Sequence, residues 1–173
     1  YKKAIEVFEP GIKSLEIMVT GSGDINRAPG LGSDERANGN LNTPKEALEG
    51  LYIKVSDTLL KLHKVNEAEY YSREALKKAL ARTGRESLST AKALRQLAIV
   101  MLSRERNKDA VYLLNQSLIA LKQSGVTDES IQLAITKKTF ASALIADERY
   151  ADALNIYSEL ELSLKTYPET ARF

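Results

Sequence analysis

Few side chains in this sequence could do catalytic or metal-binding chemistry. The chain of 173 residues has no cysteine and a single histidine, His63. Without cysteine, disulfide bonds and thiolate metal sites are excluded, and one histidine cannot form a histidine-based zinc site. No orienting partner for His63 is recognisable, so we interpret it as a solvated turn residue rather than a catalyst. We therefore expect no enzymatic activity, no metal and no cofactor.

Other patterns with a chemical meaning are also weak. The glycine-rich stretch 30–33 lacks the lysine of a phosphate-binding loop, and no predicted strand precedes it. Most carboxylates stand near lysine or arginine at helical spacing, which is typical of a solvated helix face. The net charge of +2 does not by itself suggest a nucleic-acid partner, so any basic character must come from the arrangement of the charges. We interpret the adjacent residues Tyr70 and Tyr71 as packing residues rather than a base-stacking pair.

An internal repeat determines where the remaining polar side chains lie. Three stretches align on Ala68, Ala110 and Ala153, which are 42 and 43 residues apart. An apolar segment precedes each stretch, with large, small and large residues at i, i+1 and i+4, all on one helix face. The small members of these segments are Ser56, Ala98 and Ala141. Only three or four polar residues separate the paired segments, so we predict antiparallel helix hairpins.

This spacing resembles the tetratricopeptide repeat, and the 42-residue period resembles the longer variant found in kinesin light chains. The best match runs over residues 66–76, and the resemblance covers residues 49–164. It implies an all-α fold, an α-α superhelix of about seven antiparallel helices whose hairpins bury their apolar faces by stacking. Three residues depart from the family pattern, so we expect the last repeat either to pack less tightly or to rely on a helix outside this fragment. They are Ser72, Leu160 and Lys137.

The chain is predicted to be a single domain over residues 1–173. It starts in what resembles the middle of a helix, so we expect a fragment of a longer chain. Residues 1–19 fit the second helix of a truncated repeat, and residues 20–44, with five of the nine glycines, fit a flexible insertion. Residues 43–46 are predicted to start a helix, with a threonine cap and a proline in the first turn, and Thr127 is predicted to open the first helix of the last repeat. The complete repeats are expected at residues 49–86, 87–126 and 127–166.

The resemblance also implies a concave groove, lined by the outward positions of the first helix of each repeat. Five of these residues are basic and one is acidic, although the whole chain is nearly neutral. This asymmetry predicts a protein partner that presents an acidic or carboxylate-bearing segment. The alternative is a solvated charged face. The predicted groove residues are Ile53, Lys54, Asp57, Lys61, Lys92, Arg95, Gln96, Ile99, Ile135, Lys138, Thr139 and Ser142.

Chaperone-binding members of the family hold a C-terminal carboxylate with a clamp of lysine and asparagine. The matching positions here lack these residue types, so the resemblance does not imply a reader of chaperone tails. They are occupied by Ile53, Asp57, Gln96, Ile135 and Thr139.

The leading hypothesis is a noncatalytic adaptor that recruits a protein partner, within a soluble intracellular domain. A looser resemblance is to the fungal tetratricopeptide adaptors of the mitochondrial inner-membrane i-AAA protease, which would place the protein at that membrane. One alternative is a peptide-sensing regulator whose superhelix changes when the groove is occupied. Another is an RNA-binding helical-repeat protein that uses the basic groove.

Overall fold

The computed structural model describes residues 9–14, 16–17, 44–127 and 130–166, and these residues form helices joined by turns, with no strand among them. The helical residues 9–14 and 16–17 are called α1. The other helices are α2 (Pro44–Lys61), α3 (Val65–Thr83), α4 (Leu88–Leu102), α5 (Asn107–Gln123), α6 (Ile131–Ala146) and α7 (Tyr150–Thr166).

Helices α2 to α7 form three antiparallel hairpins that stack in chain order. The second helix of each hairpin packs against the first helix of the next one. The first helices α2, α4 and α6 also contact one another in order, whereas the second helices lie further apart. The first helices therefore line the inner side of a curved stack. The all-α helical-repeat superhelix predicted from the sequence is confirmed.

The small residues of the repeat lie where the helices approach most closely. All six are at most 2% exposed: Ser56, Ala68, Ala98, Ala110, Ala141 and Ala153. The Ser56 hydroxyl also donates a hydrogen bond to the Ala68 carbonyl across the first hairpin, at 2.9 Å. In the second hairpin the Ser117 hydroxyl donates to the Ala91 carbonyl at 2.7 Å. The two serines therefore occupy these closely packed positions without leaving a buried polar atom unpaired.

The three turns within the hairpins share one backbone conformation. His63, Glu105 and Glu148 have φ values of 59°, 58° and 63°, and they recur at the period of the repeat. The amide of the following residue donates to a carbonyl five positions earlier, at 2.8–2.9 Å, and so closes the first helix of the hairpin. The side chain of that same residue pairs with a carboxylate three positions later. These pairs are Lys64–Glu67, Arg106–Asp109 and Arg149–Asp152.

The three departures from the family pattern are accommodated in different ways. Ser72 is fully buried, and Leu160 is only 8% exposed. The Lys137 side chain extends to the edge of its hairpin and pairs with Glu159 of α7 at 2.8 Å. The ammonium group of Lys137 therefore has a counter-charge although its stem is mostly covered.

Two boundaries differ from the sequence-based ones. Helix α6 begins at Ile131, and the Ser130 hydroxyl caps it by accepting a hydrogen bond from the Gln132 amide at 3.2 Å. The predicted start at Thr127 is therefore wrong. Pro44 is the first residue of α2, which agrees with the predicted helix start at residues 43–46 and lies ahead of the repeat boundary expected at residue 49. The predicted insertion up to residue 43 lies outside the described residues.

Candidate functional site

The candidate site is the inner face formed by α2, α4 and α6, and we call it the inner face throughout. Eleven of the twelve predicted groove residues keep accessible surface. The exception is Gln96, which is only 6% exposed. Its amide donates to the Ser56 hydroxyl at 3.2 Å, so Gln96 packs α4 against α2. Its assignment to the accessible lining is corrected for that reason.

The charges of the inner face are of one sign in the second and third repeats. Helices α4 and α6 carry Lys92, Arg95, Lys137 and Lys138, and neither helix contains aspartate or glutamate. Lys137 turns away to pair with Glu159. For the other three cations, the described part of the chain offers no carboxylate within salt-bridge distance. An anion that enters the inner face therefore meets cations that no carboxylate of the described residues neutralises.

In the first repeat, the inner face carries charges of both signs. Lys54 is exposed and has no carboxylate partner among the described residues. Asp57 is the only acidic residue of the predicted groove, and it pairs with Lys61 at 2.7 Å. Its negative charge is thereby offset, so it does not cancel the positive field of α4 and α6.

Arg95 is the most constrained of these cations. It is mostly buried, and its guanidinium donates to the Thr136 hydroxyl at 2.9 Å and to the Gln132 side-chain oxygen at 3.1 Å. A longer contact of 3.4 Å reaches the Gln132 carbonyl. All these acceptors are neutral. Burial lowers the pKa of Arg95, which nevertheless remains a cation as arginine does in proteins. A fixed and partly desolvated cation attracts an anion more strongly than a solvated one.

The hydroxyls of the inner face contribute less to anion binding. Thr139 donates to the Ile135 carbonyl at 2.9 Å, and Ser142 donates to the Lys138 carbonyl at 3.2 Å. Both protons are therefore used within α6. Partly exposed Ile99 and Ile135 supply apolar surface between the cations. The basic side chains, rather than the hydroxyls, are the groups that can recognise a carboxylate.

Gln132 and Thr136 belong to this site although they were absent from the predicted lining. The repeat pattern assigns outward positions helix by helix, so it cannot show that Arg95 of one repeat reaches across to the next. A glutamine and a threonine one helical turn apart gave no distinctive signal. Among the described residues no cluster of histidine, cysteine or carboxylates could hold a metal ion. Within that same part of the chain, no helix has the length and apolar character to cross a bilayer.

Three stacked hairpins with a polar inner face define a helical-repeat superhelix of the tetratricopeptide type. Among solved structures, the chain is similar to the crystal structure of BtubC (BKLC) from P. vanneervenii, with a TM-score of 0.63 and 17% identity. The match covers 69% of this chain and 47% of that one, so the chain spans about half the length of that structure. That fold is kinesin-light-chain-like, and the likeness concerns the fold alone. No protein-family model and no curated protein matches the sequence.

Proposed function

We propose that this chain is a noncatalytic protein-interaction scaffold whose inner face binds an acidic segment of a partner polypeptide. One observation carries the proposal. The inner helices of two successive repeats, α4 and α6, contain four basic residues and no acidic residue. Lys92, Arg95 and Lys138 are left without a carboxylate partner among the described residues. A helical-repeat fold supports a scaffold role in general, and the charges supply the class of ligand.

The physical basis is the field of the inner face. A concave surface lined by one sign of charge focuses its potential and raises the local concentration of the opposite charge. The Arg95 guanidinium is already oriented by Gln132 and Thr136, so a carboxylate would bind it with little loss of side-chain entropy. Lys92 and Lys138 would add flexible charge contacts. Such binding should weaken as salt is raised.

The test is a fluorescence-anisotropy titration with a labelled peptide of alternating glutamate and alanine. Lys92→Glu with Lys138→Glu is the groove variant. Lys108→Glu with Lys122→Glu is the outer variant, which makes the same charge change on exposed positions of α5. We expect the groove variant to weaken binding about tenfold or more. The outer variant should weaken binding much less, because interactions between exposed charges contribute only roughly 0.2–1 kcal/mol each. Equal losses in both variants would reject the inner face as the binding site.

A separate variant addresses Arg95, whose burial makes charge reversal a risk to folding. Arg95→Gln keeps hydrogen-bond donors near Gln132 and Thr136 but removes the cation. If Arg95 anchors the peptide, this variant loses affinity while its thermal unfolding midpoint stays within a few degrees of the wild type. A peptide with glutamine in place of glutamate serves as the ligand control and should not bind the wild-type inner face.

A second function, peptide sensing, is favoured by the contacts of Arg95. Its guanidinium joins α4 to α6, and therefore the second repeat to the third. A ligand carboxylate that captures this guanidinium would compete with Gln132 and Thr136 and loosen the link between repeats. The measurement is the distance between spin labels on α2 and α7, with and without the peptide. An unchanged distance distribution at saturating peptide would exclude sensing by superhelix movement while leaving the scaffold role intact.

Two narrower functions have direct tests. Recruitment of substrates to a mitochondrial inner-membrane protease rests only on the resemblance of the long repeats, and it requires that the wild-type chain co-purifies with such a protease. RNA binding through the basic inner face requires retention of single-stranded RNA at low salt with a steep salt dependence. Absence of either result removes the corresponding function.

A further inference from the structure

A cavity with a charge opposite to that of the inner face lies at the first-repeat end of the described stack, between α1, α2 and α3. The cavity has a volume of about 230 Å³. Its lining combines three aromatic rings with two carboxylates and one ammonium. The lining residues are Glu9, Ile12, Lys13, Glu16, Tyr52, Tyr70 and Tyr71. We call this cavity the tyrosine pocket.

The three rings form a row of two successive contacts. Tyr71 lies between the others, with its ring centroid 5.7 Å from that of Tyr52 and 5.3 Å from that of Tyr70. Tyr52 is only 2% exposed, and its hydroxyl donates to the Glu16 carboxylate, so the deepest ring is fixed on two sides. Tyr70 is 61% exposed and forms the rim. Tyr71 thus packs against both other rings, whereas Tyr70 packs against Tyr71 and leaves most of its side chain exposed.

Aromatic faces of this kind attract cations that come within about 6 Å of the ring centroid. The protein already contains one such contact, because the Lys78 ammonium lies 5.5 Å from the centre of the Tyr52 ring. The faces of Tyr70 and Tyr71 on the pocket side have no such cation among the described contacts. A ligand cation placed between them would contact two rings at once.

The electrostatic field in the pocket is also suited to a cation. The lining carries the carboxylates of Glu9 and Glu16 against the single ammonium of Lys13. Burial raises the pKa of the Tyr71 hydroxyl, and the neighbouring charges of Glu9 and Glu16 raise it further. The charges of Glu9 and Glu16, rather than the burial, are the part of this shift that favours a cation near the Tyr71 hydroxyl.

The volume of the cavity limits the class of ligand that it can hold. Pockets for drug-sized ligands and cofactors usually have volumes of about 300–1,000 Å³, so this smaller cavity suits the head of one side chain. We propose that the tyrosine pocket binds an alkylammonium group, and specifically the ammonium of a lysine side chain on a partner polypeptide. The site is independent of the proposed inner-face function, because it takes the opposite charge and uses a different part of the stack.

The experiment measures the shifts of tyrosine ring protons by NMR while the intact chain is titrated. The probes are a neutral pentapeptide with one central lysine, the same peptide with norleucine, and choline. The lysine peptide should bind and its norleucine isostere should not. Equal binding of the two peptides would overturn the proposal, since norleucine keeps the stem and lacks the charge. Tighter binding of choline than of the lysine peptide would assign the pocket to a free quaternary ammonium and overturn the lysine source.

Three substitutions separate the pocket from nonspecific effects. Tyr70→Ala removes an exposed ring and should weaken the lysine peptide about threefold or more, whereas Tyr70→Phe keeps the ring face and should bind as the wild type does. Lys13→Gln removes the cation native to the pocket and should tighten binding. Tyr112→Ala, at a tyrosine that is 64% exposed on α5, is the matched control. Identical losses in Tyr70→Ala and Tyr112→Ala, or no gain in Lys13→Gln, would contradict the proposal.

Discussion

The ion pair between Arg82 and Glu49 should be the most consequential of the described ion pairs for the stability of the stack. Arg82 Nε lies 2.7 Å from Glu49 Oε1, and Nη2 lies 2.8 Å from Oε2. The same Nη2 donates to the Ser89 hydroxyl at 2.7 Å. The guanidinium thus joins α3 to α2 and to α4, across the boundary between two repeats. The hydrogen bonds to Glu49 raise the pKa of Arg82, in keeping with a charge-assisted pair.

The burial of Glu49 determines how much free energy of unfolding is lost when Arg82 is replaced. Its side chain is 4% exposed, against 21% for Arg82. Replacement of Arg82 by methionine would leave a buried carboxylate without its counter-ion, and breaking buried pairs in this way costs about 3–5 kcal/mol. We expect the lower end, about 3 kcal/mol, because the arginine side is partly solvated. Replacing both residues, as Glu49→Leu with Arg82→Met, should recover most of the loss, since well-packed apolar pairs often match a buried ion pair.

The assay is urea denaturation of the wild type, both single variants and the double variant, followed by circular dichroism. The control is Arg106→Met. Arg106 pairs with Asp109 at 2.6 Å, but both side chains are about half exposed, so its loss should cost at most about 1 kcal/mol. The double-mutant cycle should give a coupling energy of about 2 kcal/mol or more between Glu49 and Arg82. If Arg82→Met costs no more than Arg106→Met, the assignment of Arg82–Glu49 as a stabilising buried ion pair is refuted.

Two further predictions concern burial and alkaline pH. Leu114→Ala should lower the free energy of unfolding by about 2–5 kcal/mol, because the Leu114 side chain of α5 is fully buried in the core. Leu154 of α7 is 67% exposed, so Leu154→Ala should change urea stability by at most about 0.5 kcal/mol. Burial, together with Glu16, raises the pKa of Tyr52 above its ordinary value. The stability that this shift contributes is fully present below about pH 10 and is lost as the pH rises further. The decline above about pH 10 should be shallower in Tyr52→Phe, and a decline of the same slope would contradict the assignment.

The helices and their pairing were predictable because the relevant signals are local and repeated. Ala68, Ala110 and Ala153 recur at one spacing, and a small residue that recurs on an apolar helix face is typical of closely packed helices. The similarity to a kinesin-light-chain-like structure bears out that class of fold. The function of the chain could not be predicted in the same way, since these alanines reflect helix packing and carry no information about a ligand.

The structural features that the sequence did not predict depend on contacts between residues that are distant in the chain. The left-handed turn position is occupied by His63 and Glu105 rather than by glycine, so the usual turn signal is absent. Helix α6 has a serine cap three residues later than predicted, because several residues before it could equally well have capped a helix. The burial of Gln96 and the bridge from Arg95 to Thr136 arise only when repeats stack. Periodicity within one helix contains no information about such links.

Binding to the inner face is tested most directly by NMR mapping of the acidic glutamate–alanine peptide on the isotopically labelled chain. Amide and side-chain signals of Lys92, Arg95 and Lys138 should shift on binding, together with those of Gln132 and Thr136 in the same site. Signals of α5 on the opposite side of the stack should stay in place, and the shifts should disappear in the Lys92→Glu, Lys138→Glu variant. Shifts confined to α3 and α5, or unchanged in that variant, would contradict the inner face as the binding surface.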